Sequence, residues 1–351
     1  MKINKVTESR FGAVDYKTLP FGSLFTDHMV VADYKDGKWS TPEIVPYGPM
    51  TMYPSSSVLH YGQALFEGMK AYKDNEGNAF LFRPDQNIKR FNRSCERLAI
   101  PQMDEQAFLS ALDHLIALER QWIPDEEGSS LYIRPFVFAT EPAIKANPAL
   151  EYRFCIICAP VASYFADAIA VKIEEKFSRA APGGFGYAKA AGNYAGQFYP
   201  TELAKAEGYQ QVVWTDAQTH SYLEEAGTMN IFVRFKDTLV TSPVSDTILD
   251  GITRKSMIAL CKDLGIKVEE RAIAVHELLE GFENGNLIEL FGAGTAAVVS
   301  EIKSFGYRGI NYELDVAEDA YGAVLKKALT DIQRNRAEDP HGWRYQIKAN
   351  V

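Results

Sequence analysis

Lys189 is the side chain of this sequence most suited to nucleophilic chemistry. It stands in GGFGYAKAAGNYAG (183–196), flanked by Ala188, Ala190, Ala191 and Gly192, with Tyr187 and Tyr194 close by. Small apolar neighbours leave an amine poorly hydrated. Desolvation lowers a lysine pKa and supplies the neutral amine that a Schiff base requires. A solvated loop lysine reads the same way, and the residue alone does not choose. The second candidate is Glu225 in YLEEAGTMNIF (222–232), beside an apolar strand and a Gly-Thr turn. A carboxylate there could neutralise a buried cation, and one of Glu224 and Glu225 is expected to face solvent. Two further glycine-rich segments, DGITRKS (250–256) and FGAGTAA (291–297), allow backbone N–H groups to approach an anion closely. The first leads directly into a predicted helix, so the N–H groups of Ile252 and Thr253 make an anion site, or simply a loop-to-helix turn.

Other chemistries find little support. Cys155 and Cys158 form a CxxC, but inside RFCIICAPV, an apolar strand in which residues three apart point to opposite faces. They read as two buried structural cysteines, since zinc needs four ligands and a redox pair sits at a helix start. The histidines show no HExxH spacing, and no metal site is expected. There is no GxSxG elbow and no P-loop, and no GxGxxG lies between a strand and a helix. His114, on a predicted helix, is given no role.

The 351 residues carry 37 Lys+Arg against 46 Asp+Glu, a net charge of −9. That balance argues against nucleic acid and anionic membranes as partners. Four scattered cysteines make no disulfide framework, and neither a secretory signal nor an apolar run of about 20 residues is visible. A reducing, cytoplasmic location is expected. The length exceeds what one core of about 250–300 residues accommodates, so two domains are expected. We read a small α/β domain over 1–160, a linker over 161–176 and a larger domain over 177–351.

The elements that must position these groups follow from periodicity. A β-hairpin is predicted around KDNEGN (73–78), and helices over 85–99 and 105–122 from apolar stripes at steps of three and four. Buried strands are predicted over 131–140 and 152–160. The second half predicts strands over 171–175, 211–215, 230–235, 238–241 and 287–291, and helices over 253–264 and 316–336. Strands and helices alternate without a regular βαβ rhythm. That favours an α+β fold, with a barrel-like mixed sheet in the larger domain, over a doubly wound one.

Together the candidates meet the needs of one cofactor. Pyridoxal phosphate requires a lysine to hold its aldehyde, a carboxylate for its pyridine nitrogen, a phosphate cup and a group for its phenolic oxygen. Lys189, Glu225, Arg83 with the 252–253 and 295 loops, and Tyr194 are candidates for each. At this point the chain resembles the branched-chain amino acid aminotransferases of the fold-type IV pyridoxal phosphate enzymes. The resemblance is carried by FTDHM (25–29), HYGQALFEGMKAY (60–72), LFRPDQNIKR (81–90), LYIRPF (131–136), KAAGNY (189–194), EAGTMNIF (225–232), LDGITRKS (249–256) and FGAGTAA (291–297). Their joint order and spacing cover nearly the whole chain.

The resemblance implies roles. Lys189 would hold the cofactor as an imine and move a proton at the substrate Cα. Glu225 would pair with the ring nitrogen and Tyr194 with the phenolic oxygen. Arg83, the N–H groups of Ile252 and Thr253, and Thr295 would hold the phosphate, with Arg179 near the cofactor. Phe25, Tyr61, Phe66, Tyr132 and Tyr164 would line an apolar substrate pocket, with Thr228 and Ala296 on the substrate side. Arg134 would attract a substrate carboxylate. The resemblance also implies a homodimer in which Tyr61 and Arg134 reach in from the partner subunit. The implied reaction moves the amino group of leucine, isoleucine or valine to 2-oxoglutarate, giving a 2-oxoacid and glutamate. Animal relatives can carry a CxxC after the GxGT loop; here Ala297 and Ser300 stand there, so no thiol switch is expected. A D-amino acid aminotransferase or an aminodeoxychorismate lyase would share the lysine and the glutamate, but LYIRP and the aromatic set favour the branched-chain reading.

Overall fold

In the computed structural model the described residues are 1–12, 21–162, 167–315, 319–349 and 351. The chain forms two compact units. One comprises Met1–Tyr164, Ala188–Gly192 and Asp331–Val351; the other comprises Phe165–Tyr187 and Asn193–Thr330.

The first unit is built on a long antiparallel pair, Ser130–Ala139 with Tyr152–Val161. His28–Lys35 flanks one side of this pair, and Met69–Lys73, Ala79–Phe82 and Arg344–Gln346 extend the other. Met69–Lys73 and Ala79–Phe82 form the predicted hairpin, its turn held by Asp74, which accepts from the backbone N–H groups of Glu76 and Asn78. The two predicted helices form as Pro84–Arg97 and Glu105–Leu118. Proline at the first helical turn starts one, and the Asp104 side chain caps the other through the Ala107 N–H. The second helix stops short of residue 122, giving way to a single 3-10 turn over Arg120–Trp122. The apolar stripes pack on the sheet, so Phe91, Phe108 and Phe154 meet with ring centroids 5.7–5.8 Å apart. Cys155 and Cys158 are buried in the strand as expected, and burial pushes the Cys155 thiol up to about 12.

The second unit contains the barrel-like mixed sheet that the sequence predicts. Ile169–Ile173 runs parallel to both Gln211–Thr215 and Val298–Tyr307. The ring continues antiparallel from Gln211–Thr215 to Tyr222–Ala226, then to Met229–Phe235, Leu287–Gly294 and back to Val298–Tyr307. Six strands therefore close on themselves. Phe232 and Phe291 stack at 5.0 Å on neighbouring strands of this ring. The helix predicted over 253–264 runs Ile252–Asp263, and that predicted over 316–336 runs Tyr321–Gln333; residues 316–318 lie outside the described residues. Among the described residues no helix is long and apolar enough to cross a membrane, and no cluster of His, Cys, Asp and Glu could hold a metal ion.

Phe154 is the ring that joins both helices to the sheet. Phe154→Ala should cost about 3–5 kcal/mol in denaturant unfolding. A loss below about 1 kcal/mol would show that the three rings do not share one core.

Candidate active site

In the first unit Lys189 lies in an extended segment that meets Ala64–Phe66 through an isolated bridge. Its carbonyl accepts from the Phe66 N–H at 3.1 Å, Ala190 bridges Leu65, and the Ala191 N–H donates to Ala64 at 3.0 Å. Its own N–H donates to Ser94 Oγ at 2.9 Å. The side chain is half-buried, with Nζ 5.0 Å from the centroid of the Phe66 ring. Arg134 lies over the same ring at 4.5 Å and donates to the Tyr132 hydroxyl at 3.1 Å. Thus Phe66, Tyr132, Arg134 and Lys189 come together. Arg134 lies over Phe66 of its own chain. The reason is register: Phe66 pairs with Phe136, two residues from Arg134 along the neighbouring strand, so both side chains lie on one face. Tyr61 is exposed at the end of the short helix Val58–Tyr61, and Phe25 stacks on Tyr47 instead. Tyr164 lies outside the described residues.

Arg83 occupies the N-cap of helix Pro84–Arg97 with φ 50° and ψ 45°, left-handed backbone that a non-glycine residue adopts at a cost. Its N–H donates to the Trp343 carbonyl at 2.8 Å and its guanidinium lies 5.1 Å from the Trp343 ring. A cation at the positive end of a helix dipole is unfavourable unless an anion joins it.

Beneath these groups lies a buried ion pair. Arg90 Nε and Nη2 donate to Glu67 Oε1 and Oε2 at 2.7 and 2.8 Å, and Asn87 adds a bond at 2.7 Å. Burial raises the Glu67 carboxyl, but the charge and hydrogen bonds of Arg90, then the charge of Lys189, hold it below its ordinary value.

In the second unit the strand Tyr222–Ala226 places both acidic residues out of solvent, correcting the expectation that one is exposed. Alternation does send them to opposite faces, but each face is covered. Glu225 Oε2 meets Arg179 Nε at 3.0 Å, and Oε1 accepts from Asn230 Nδ2 at 3.2 Å and the Leu249 N–H at 3.0 Å. Arg179 also donates to the carbonyls of Thr247 at 2.6 Å and Gly186 at 3.1 Å. Glu224 Oε1 accepts from the Thr247 hydroxyl at 2.5 Å, while Oε2 is buried without a hydrogen-bond partner.

Gly251 precedes helix Ile252–Asp263 and offers no side-chain cap; a Cβ on it would lie 1.9 Å from Asn230 Oδ1. The helix start carrying Ile252 and Thr253 is therefore packed on the same asparagine that braces Glu225. Its first turn has no acidic residue, and Asp250, just before the N-cap, pairs with Lys255 at 2.7 Å. Thr228 lies in the turn before Met229–Phe235, and its carbonyl is 3.7 Å from where a Cβ on Gly294 would stand, so it adjoins the loop with Thr295 and Ala296. Tyr194 is half-buried in the short helix Gly192–Ala195.

In donor chemistry each unit offers groups that suit pyridoxal phosphate: the first an amine on Lys189 and a guanidinium on Arg83, the second a braced carboxylate on Glu225 and the N–H groups at the start of helix Ile252–Asp263. Sequence reasoning passed over Asn230, Glu67, Asn87, Arg90 and Ser94. A signal existed for three of them. Arg83, Asn87, Arg90 and Ser94 recur at helical steps, a polar stripe beside the apolar one.

Comparison with known proteins places the chain in context. The model of the amino-transferase class IV family matches residues 64–305. The chain is 45% identical over 341 residues to branched-chain-amino-acid transaminase 1 of Bacillus subtilis (strain 168), with 95% of each covered. It is similar to the solved branched-chain amino acid aminotransferase of Escherichia coli, with TM-score 0.74 and 25% identity over 92% of this chain and 99% of that one. It also shares the fold of the T.th. branched-chain amino acid aminotransferase complexed with N-(5'-phosphopyridoxyl)-L-glutamate, with TM-score 0.71 and 22% identity over 90% of this chain and 98% of that one.

Burial, then the negative charge of Glu225, raises the Glu224 carboxyl to about 7 against the opposing Thr247 bond. Between its ordinary value of 4.5 and about 7 the folded state keeps a proton that the unfolded state has lost. Stability therefore falls as pH rises through this window. Glu224→Gln removes the liability and keeps an acceptor for Thr247. It should gain on the order of 2 kcal/mol at pH 8 and little at pH 5, in thermal or denaturant unfolding. An equal effect at both pH values would reject this account.

Proposed function

The chain belongs to the amino-transferase class IV family, and from that premise we propose that it is a branched-chain amino acid aminotransferase moving the amino group of L-leucine, L-isoleucine or L-valine to 2-oxoglutarate. The observation that carries this reading is the near-full-length similarity to the Bacillus subtilis enzyme. The acceptor rests on the glutamate adduct held by the solved T.th. enzyme together with the arginine beside the aromatic cluster.

When bound, pyridoxal 5'-phosphate supplies an electron sink for the charge left at the substrate Cα. Lys189 anchors the aldehyde with its amine and, as a positioned base, takes the Cα proton and returns it. Such proton transfer contributes about 10²–10⁴-fold. Glu225 would accept from the ring N–H, and Arg179, 3.0 Å from its carboxylate, orients it. Arg83, the N–H groups of Ile252 and Thr253, and Thr295 hold the phosphate; Tyr194 donates to the phenolic oxygen. By the family resemblance Phe25, Phe66, Tyr132 and Tyr164 would line the pocket for a branched alkyl chain, and Thr228 and Ala296 its substrate side. Arg134, beside Phe66 and Tyr132, receives a carboxylate. A tyrosine ring accepts an alkyl group and its hydroxyl a carboxylate, so one pocket can serve both substrates.

The working enzyme is a homodimer in which Tyr61 completes the site of the other copy. Tyr53, Leu59 and Tyr61 are exposed, as are Ile144 and Leu150, and the Ser57 N–H bond to the Glu141 carbonyl ties the two segments together. Exposed apolar side chains of this kind support the dimer reading. Sedimentation velocity at micromolar concentration should give twice the chain mass; a monomer would reject the dimer.

The function is tested by absorbance. The visible band of the purified protein should fall on adding L-leucine and return with 2-oxoglutarate, while Lys189→Ala should lose the band change and about 10²–10⁴-fold in turnover. An unchanged wild-type spectrum, or a variant that retains both properties, sinks the assignment.

A further inference from the structure

We infer that Ser94, tied to Glu67 through Arg90, is the positioning residue that fixes the register of the segment carrying the reactive lysine. This rests on the reading of Lys189 as the residue that anchors the cofactor. Both backbone polar groups of Lys189 are held. Its N–H donates to Ser94 Oγ at 2.9 Å and its carbonyl accepts from the Phe66 N–H at 3.1 Å. The two holders are themselves joined. Ser94 Oγ donates its single proton to the Arg90 carbonyl at 3.0 Å, which leaves its lone pairs for the lysine N–H. Arg90 grips the carboxylate of Glu67 with two bonds, and Glu67 adjoins Phe66 in the chain. The Glu67 N–H donates to the Pro135 carbonyl at 2.7 Å, fixing that end on the strand Ser130–Ala139. The circuit therefore closes: lysine N–H, serine, helix, arginine, glutamate, strand, lysine carbonyl.

Stability alone does not call for such a circuit. Apolar residues fill a buried volume at least as well as an ion pair does. Register does call for it. Ala188–Gly192 meets the strand Ala64–Phe66 over only three residues, and it belongs to a different compact unit from Tyr187 and Asn193 on either side. A slip of one residue in so short a pairing would turn Lys189 to the opposite face and its amine away from Phe66. Ser94 resists that slip, because moving by one residue turns the N–H away from its oxygen. Ser94 and Glu67 are fully buried, so water cannot replace the bond at either end.

The test uses the holoenzyme with Ser94→Ala and Ser94→Thr. Ser94→Ala should keep a visible band but lower kcat with L-leucine about tenfold, with KM changed less than twofold. The pH midpoint of its visible band should also move by about half a unit or more, because the lysine amine is displaced. Ser94→Thr retains the oxygen and should recover kcat to within about threefold of wild type. A purely structural role would alter melting temperature without moving the midpoint. Ser94→Ala with wild-type kcat and midpoint, or Ser94→Thr as impaired as Ser94→Ala, overturns the inference while the wild-type response to leucine leaves the enzymatic reading standing. A wild type that shows no response to leucine overturns both.

Discussion

Closure of the six-stranded ring is the constraint from which the second unit's chemistry follows. The ring depends on the hairpin between Tyr222–Ala226 and Met229–Phe235, in which Glu225 pairs with Asn230 and Ala226 with Met229. Only Gly227 and Thr228 connect the two strands, and Gly227 takes φ +60°, which glycine adopts without a Cβ penalty. A closed sheet has no free edge, and this hairpin has neighbours on both sides. Alternation therefore does not expose one acid and bury the other. It assigns Glu225 to the face with Arg179 and Asn230, and Glu224 to the face with Thr247. The same closure brings the start of helix Ile252–Asp263 onto Asn230, so the carboxylate and the helix N–H groups are set by one asparagine.

Each unit then handles its buried charge differently. Glu67 is fully paired: two bonds from Arg90, one from Asn87 and the Gly68 N–H at 3.2 Å satisfy its oxygens. Glu225 shares Arg179 with two backbone carbonyls, so that guanidinium is anchored whether or not the carboxylate engages a ligand. The proposed role of Glu225 toward a ring nitrogen is served by this arrangement, because its partner does not depend on it alone for position. Glu224 is the unsatisfied member, one oxygen bonded and one not, and its raised pKa is the consequence. Thr247 joins the two acids, since its hydroxyl serves Glu224 and its carbonyl serves Arg179.

The sequence makes local elements legible wherever periodicity and turn chemistry coincide. Helices Pro84–Arg97 and Glu105–Leu118 announce themselves through an apolar stripe with Pro84 and Asp104 at their starts, and Gln211–Thr215 and Thr238–Thr241 match their predicted limits. The strand Tyr222–Ala226 is not legible as a strand because two adjacent acids interrupt its apolar pattern, and only ring closure makes their burial tolerable. Lys189 and Glu225 are legible through their neighbours; Asn230 and Ser94 are not, because a single polar side chain in an apolar element carries no sign of its long-range partner. Ser94 is 95 residues from the lysine it binds, and Glu67 is 23 from Arg90. Arg134 is a different case. Its chemistry is legible, but its placement over Phe66 depends on register across Ala64–Phe66 and Ser130–Ala139, which a sequence pattern does not specify.

Helix Pro84–Arg97 shows why precision in this enzyme comes from a regular element and not from the glycine-rich loops. Arg83 caps its start, and Asn87, Arg90 and Ser94 follow along one stripe. At 1.5 Å per residue, the rise from Arg83 to Ser94 is about 16 Å, and a hydrogen-bonded helix holds that length within a small fraction of an ångström. One rigid body thus sets the distance between the backbone of the proposed phosphate arginine and the backbone of the proposed reactive lysine, through Ser94 Oγ. The strained backbone at Arg83 is tolerable for the same reason: its N–H bond to Trp343 and the stacked indole over-determine it. Loops supply the N–H groups and the freedom to receive a ligand. The helix supplies the spacing, and for a reacting group a misplacement of about 1 Å can cost about 10²-fold in rate.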